Sequence, residues 1–341
     1  MRVKVLLGLV AAGAASALGG CGNGTVIGST PPPTPTPVPP SVSTEISLQQ
    51  LNALPSGVAY GSDGNLYVTL FQTSDVTSYN FTTGTFSLFA TKVRPAGPNG
   101  ITLGPDNDIW LTETSANQIA TISAGTVHEF PLTAGAAPAN LTSGPSGNLY
   151  FTEPGLNAIG LINATVQVAA GPYSIPTANA GPLGIATGPD NNVWFTESTA
   201  AKIGRFNPLT TSVDEEIPLP AGSADPTNIV LGPDGAMWFT ENNPAGPKLG
   251  RLATATGTIT EFALTGAGSA MGLAVGLDNN LYFTDPKNNA IGAFTITTQK
   301  TAEYPIPTPN SSPTAIALNP ANGKLYFTER TGNKIGQFTY F

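Results

Sequence analysis

Six acidic residues recur at near-constant spacing along the chain: Glu113, Glu153, Glu197, Glu241, Asp285 and Glu329. Each ends an aromatic–hydrophobic–Thr run, as in Trp194-Phe195-Thr196-Glu197. Carboxylates repeated in this way suit a cation-binding mouth or direct contact with a polar ligand. They equally suit a structural task. Lys202, Lys248 and Lys334 follow Glu197, Glu241 and Glu329 across a short connection. Ion pairs there, or hydrogen bonds to loop amides, would fix turns and contribute little else. Asn99, Asn140 and Asn228, on strands nearer the axis, are the better candidates for direct ligand contact. The remaining chemistry is sparse. One His excludes a multi-histidine metal site, and one Cys excludes an intrachain disulfide. The single His128 lies in Thr126-Val127-His128-Glu129-Phe130, a segment expected at the surface and far from any axis. No Ser-His-Asp triad follows from it, and no residue is assigned as catalytic.

The elements that position these residues come from an internal repeat. Tyr67, Trp110, Tyr150, Trp194, Trp238, Tyr282 and Tyr326 occupy the same place in seven copies, 40 to 44 residues apart. A full copy reads Gly184-Ile185-Ala186-Thr187, then Val193-Trp194-Phe195-Thr196-Glu197, then Lys202-Ile203-Gly204-Arg205-Phe206, then Glu215-Glu216-Ile217-Pro218-Leu219. Four short β-rich runs per unit, without a helical period, predict an all-β seven-bladed propeller of four-stranded blades. Three residues before each aromatic stand Gly64, Asn107, Gly147, Asn191, Gly235, Asn279 and Gly323. Gly and Asn tolerate positive φ best, so each copy should hold a tight hairpin between its first two strands. Ile-Gly pairs such as Ile203-Gly204 are expected where a neighbouring blade approaches closely.

The last copy is one strand short, ending at Lys334-Ile335-Gly336-Gln337-Phe338. Thr44-Glu45-Ile46-Ser47-Leu48 matches Thr260-Glu261-Phe262-Ala263-Leu264 and supplies the missing strand. The N-terminal strand should therefore close the seventh blade and remove the open edges. One body is expected over residues 43–341. In it the first strand of each blade lines the axis, and the second stands about 4.8 Å further out. Six acids on second strands should not converge on one ion.

Residues 1–20 have the form of a lipoprotein signal peptide: Arg2 and Lys4 precede an apolar run too short to span a bilayer. Leu18-Gly19-Gly20-Cys21 resembles a bacterial lipobox, with Cys21 as the lipidation site. Residues 21–42 then form a tether, and Pro31 to Pro40 should adopt an extended polyproline helix. The expectation is a lipid-anchored, extracytoplasmic protein of the cell envelope, bound to the outer membrane where the host has one. Thirteen basic against 21 acidic residues, net −8, exclude a general nucleic-acid binder.

The motifs Gly232-Pro233-Asp234-Gly235, Trp238-Phe239-Thr240-Glu241, Lys202-Ile203-Gly204-Arg205 and Glu129-Phe130-Pro131-Leu132 together resemble the streptogramin B (virginiamycin B) lyase family. The resemblance runs through all seven copies. It implies a seven-bladed propeller that opens a cyclic depsipeptide by Mg²⁺-assisted elimination. It also implies histidines at the mouth of the axis and a nearby Glu holding the metal. Here the mouth position holds Ser56, Asn99, Ala139, Leu183, Thr227, Met271 and Thr314. The position after each acid holds Thr114, Pro154, Ser198, Asn242, Pro286 and Arg330. None is His. The sequence therefore reads as a non-catalytic binding or scaffold propeller, using its axial face and loops for a protein, glycan or small molecule, with no cofactor assigned. The alternative is a lyase-like enzyme with a non-standard base, the one case in which Mg²⁺ is expected.

Overall fold

The computed structural model describes residues 39–243 and 245–340. The signal peptide, Cys21 and the polyproline segment up to residue 38 lie outside the described residues. The body consists of seven four-stranded antiparallel sheets. Six blades take their strands in chain order; blade four, for example, runs Pro182–Thr187, Val193–Glu197, Lys202–Asn207 and Ser212–Pro218. The seventh combines Pro313–Leu318, Leu325–Glu329 and Lys334–Thr339 with the N-terminal strand Ser41–Ser47. That strand begins two residues before the expected boundary at 43 and pairs Glu45 with Gly336. Regular helix is limited, among the described residues, to 3₁₀ turns at Pro145–Gly147 and Pro154–Leu156.

All seven hairpin positions have positive φ, from 58° at Asn191 to 81° at Gly64. The hairpin also holds the polar tip of the aromatic that follows. Trp110, Trp194 and Trp238 donate Nε1–H to Asp106, Asp190 and Asp234 at 2.9–3.2 Å. Tyr67 and Tyr282 donate to Asp63 and Asp278 at 2.8 Å. The rings themselves are almost fully buried, and each core cluster joins neighbouring blades: Trp194 of blade four packs with Ile229 and Phe239 of blade five. Cohesion is thus between blades as much as within them.

The glycines of the Ile-Gly pairs serve a different purpose from the one expected. A Cβ on Gly204 would lie 2.2 Å from Phe195 Cζ, the ring across the ladder in the same blade. Gly160, Gly250, Gly292 and Gly336 meet Phe151, Phe239, Phe283 and Phe327 in the same way. Blades one and two use smaller partners instead, pairing Val68 with Thr77 and Leu111 with Ala120. Ring volume on the second strand is matched by missing volume on the third.

Candidate functional site

Five of the seven mouth residues are presented by a break in their own ladder, and Ala139 and Met271 precede short first strands that begin at Leu141 and Leu273. In blades one, two, four, five and seven the first strand shifts register just after its initial Pro, as between Pro182 and Ile185. Such a bulge turns side chains away from the sheet and leaves backbone groups unpaired. The motif Thr supplies the missing partners. Its hydroxyl accepts the N–H of the residue after the mouth position, at 2.7–3.2 Å, in every blade. The same hydroxyl donates to the mouth residue's carbonyl in the next blade, at 2.8–3.3 Å. A continuous belt of buried hydroxyls therefore sets the mouth backbone, and the residues on it are free to vary.

The belt surrounds a cavity of about 450 Å³, lined chiefly by Asn99, Asn140, Leu183, Asn228, Met271 and Arg330, with Ser56, Thr227, Ser312 and Thr314 completing the wall. Its polar groups differ in how committed they are. Ser56 donates to Pro98 at 3.1 Å, and the Thr227 and Thr314 hydroxyls sit 2.9 and 2.8 Å from the belt hydroxyls of Thr240 and Thr328. Asn140 donates to the Leu183 carbonyl at 3.3 Å. The Asn99 and Asn228 carboxamides and the Ser312 hydroxyl have no hydrogen-bond partner among the described residues. Asn140 and Asn228 also line a second cavity of about 400 Å³ that continues along the axis between Val58, Ile101, Ile185 and Val230.

Arg330 enters from the connection after the second strand of blade seven, tied there by its N–H to the Ser312 carbonyl at 3.1 Å. Its half-buried guanidinium lies over the Phe71 ring, 5.1 Å from the centroid, and no carboxylate reaches it among the described residues. Burial lowers its pKa from the ordinary value, yet an arginine remains cationic. Phe71 follows Leu70, the one second-strand end without an acid. Sequence reading noted position 330 only as lacking an imidazole. The signal available was that a charged residue stands where the other copies carry Phe, Thr, Pro, Ser or Asn.

The six acids are near the mouth in height but do not line it. Glu113, Glu197, Glu241, Asp285 and Glu329 are fully buried, and Glu153 is 2% exposed. Burial pushes Glu113, Glu197 and Glu329 up to about 8 and Glu153 and Glu241 to about 7. Nearby Glu129, Glu216, Glu261 and Glu45 push Glu113, Glu197, Glu241 and Glu329 in the same direction. Asp285 differs: burial opposes its charge, but hydrogen bonds from Ser269, Glu303, the Gly268 N–H and the Asn288 N–H outweigh it and hold the pKa low. The expected lysine pairs are also redirected. Lys202, Lys248 and Lys334 reach outward to Glu216, Glu261 and Glu45 of the fourth strands, at 4.0, 2.6 and 3.2 Å, and to Thr177, Ser223 and Thr308. His128 is exposed on the outermost strand of blade two, opposite Thr121.

Mg²⁺ is ordinarily held through one or two carboxylates, with waters completing its octahedral shell. The cavity offers neutral amides, hydroxyls and a guanidinium, and among the described residues no three His, Cys, Asp or Glu side chains are grouped to hold a metal. These residues do not fit Mg²⁺.

Fold and site together define a seven-bladed propeller with a small-molecule-sized cavity at one end of its axis. The sequence profile of the virginiamycin B lyase family matches residues 39–215 and 209–340, and the chain belongs to that family. Virginiamycin B lyase from Staphylococcus aureus is 29% identical, with a TM-score of 0.81 over 87% of this chain and 99% of that one. A catalytically inactive histidine-to-alanine variant of that enzyme, solved with quinupristin, matches equally well. A streptogramin B lyase structure is 30% identical, with a TM-score of 0.80 over 87% and 97% of the two chains. No curated protein matches by sequence.

Proposed function

We propose that this propeller binds a compact polar molecule in its axial mouth and acts by binding rather than by bond breaking. The observation that carries this reading is the lining itself. It holds uncommitted amide, hydroxyl and guanidinium groups around apolar Leu183 and Met271, with neither imidazole nor carboxylate among them. Elimination needs a base placed at the proton it removes. The inactive histidine variant of the Staphylococcus aureus enzyme underlines how much a relative depends on such a group, and His128 points to solvent on an outer strand.

A second reading has the more direct support of the comparisons: ring opening of a type B streptogramin by a lyase-like enzyme with a non-imidazole base. Near-complete coverage of two lyases at 29–30% identity favours it. One experiment separates the two. Purified protein is incubated with a type B streptogramin, with and without Mg²⁺, and analysed by calorimetry and mass spectrometry. Binding without ring opening supports the first reading; a ring-opened product establishes the second.

The cellular address is a proposal of the same kind. Lipidation at Cys21 would hold the protein at the envelope through a short tether, multiple acyl chains giving a stable anchor. Cys21→Ala should then move it from the membrane to the soluble fraction, and retention at the membrane would count against the anchor.

A further inference from the structure

We infer that the ligand of the axial mouth is a monoanion held by its carboxylate, with Arg330 as the anchoring cation and Asn99, Asn228 and Ser312 as flanking hydrogen-bond partners. This rests on the mouth being the ligand site and adds the chemical class it selects.

Arg330 is half-buried beside a cavity without an ion-pair partner among the described residues, in a chain where acidic residues outnumber basic ones. The other three arginines among the described residues are used: Arg94, Arg205 and Arg251 pair with Asp75, Asp214 and Asp234. A desolvated cation left unpaired is costly, and a ligand anion removes that cost. The geometry preserves its donors. Set over Phe71, the guanidinium makes a cation–π contact that spends none of its N–H donors, leaving them for the two oxygens of a carboxylate. Ser312, whose carbonyl fixes Arg330, offers its hydroxyl to the same cavity.

Charge count selects a monoanion. The mouth supplies one positive group, while the protein carries a net −8 and repels polyanions at long range. The rest of the wall is neutral, with Leu183 and Met271 for an apolar body. A cavity of about 450 Å³ fits a molecule of roughly dipeptide size.

The test compares N-acetyl-Phe-Phe with its C-terminal amide, and phenyl phosphate with phenylacetate, on the full chain by ligand-observed NMR and calorimetry. The free carboxylate should bind about tenfold tighter than the amide, the worth of one charge-assisted bidentate contact. Arg330→Gln should bring the two within about twofold while leaving amide binding in place. Phe71→Leu, which leaves the charge but removes the stacking surface, should reduce the carboxylate preference without abolishing it. Phenyl phosphate should bind no tighter than phenylacetate. Equal binding of acid and amide in the unmodified protein would overturn the anion assignment and leave the mouth as a site. No binding of either dipeptide would overturn both. Preference for the phosphate would overturn the monoanion. Because the acid–amide comparison is made first on the unmodified protein, the inference stays testable even if a variant fails to fold.

Discussion

The Thr328 hydroxyl donates to the Ser56 carbonyl at 2.9 Å, joining residues 272 positions apart in the chain. It is the last link of the belt that runs through Thr69, Thr112, Thr152, Thr196, Thr240 and Thr284, and the one that turns a row of blades into a ring. The same hydroxyl accepts the Ala315 N–H at 3.0 Å. Closure and mouth geometry therefore depend on the same atoms.

Thr328→Val keeps the shape of the side chain and removes both hydrogen bonds, along with the contact to the Thr314 hydroxyl at 2.8 Å. Leaving a buried carbonyl and N–H unsatisfied should cost about 1–3 kcal/mol. Urea denaturation would measure it, and an unchanged midpoint would show that the belt is ornamental.

Removing residues 41–47 strips the outermost strand from blade seven, together with the Lys334–Glu45 pair at 3.2 Å. The exposed edge of Lys334–Thr339 should then recruit other chains. Light scattering should report aggregation or a lost cooperative transition; a monomer with a normal melt would refute closure by this strand.

Gly204→Ala should destabilise the protein by about 1–3 kcal/mol, because the new methyl overlaps the Phe195 ring. Phe195→Leu in the same chain should restore most of the loss, reproducing the Leu111–Ala120 pair of blade two. A double-mutant cycle in which the two effects simply add would contradict the matching of volumes.

The buried glutamates set a pH dependence. Their folded-state pKa values of about 7 to 8 lie above the ordinary 4.5. The folded protein thus keeps protons that the unfolded chain has released, and stability is fully present below about pH 4.5 and lost as pH rises to about 8. Asp190, Asp214 and Asp234 work in the opposite direction. Burial opposes their charge, but hydrogen bonds from Asn192 and Trp194, Arg205 and Asn207, and Trp238 and Arg251 hold their pKa values low, so their contribution fades below about pH 4. Urea midpoints should accordingly be higher at pH 5 than at pH 8.5. Glu197→Gln should raise the unfolding free energy at pH 8.5 by on the order of 1 kcal/mol, and change it little at pH 4.5.

Much of this architecture was legible because a propeller repeats its local chemistry. The aromatic period, the left-handed Gly or Asn before it and the orphan strand around Glu45 were each visible in the sequence, and each is found in place. Readings that depended on direction in space fared less well. Gly204 faces its own blade's Phe195 because residues opposite in a ladder point to the same side, which a sequence without register cannot reveal. Lys202 stands opposite both Glu197 and Pro218, and its long side chain swings outward to Glu216 and Thr177. At the mouth, Asn99, Asn140 and Asn228 line the cavity as strand order suggested, while the part played by Arg330 needs the fold, which alone brings the connection of the last blade over Phe71 of the first.

The N-terminal strand also has a polarity. Ser47 pairs with Lys334, level with Glu329 and Pro313 at the open end of the axis, whereas Ser41 pairs with Thr339 at the far end. The polypeptide therefore enters the ring at its perimeter and from underneath. A label attached at Ser41 would therefore sit on the face away from the cavity and leave its opening clear.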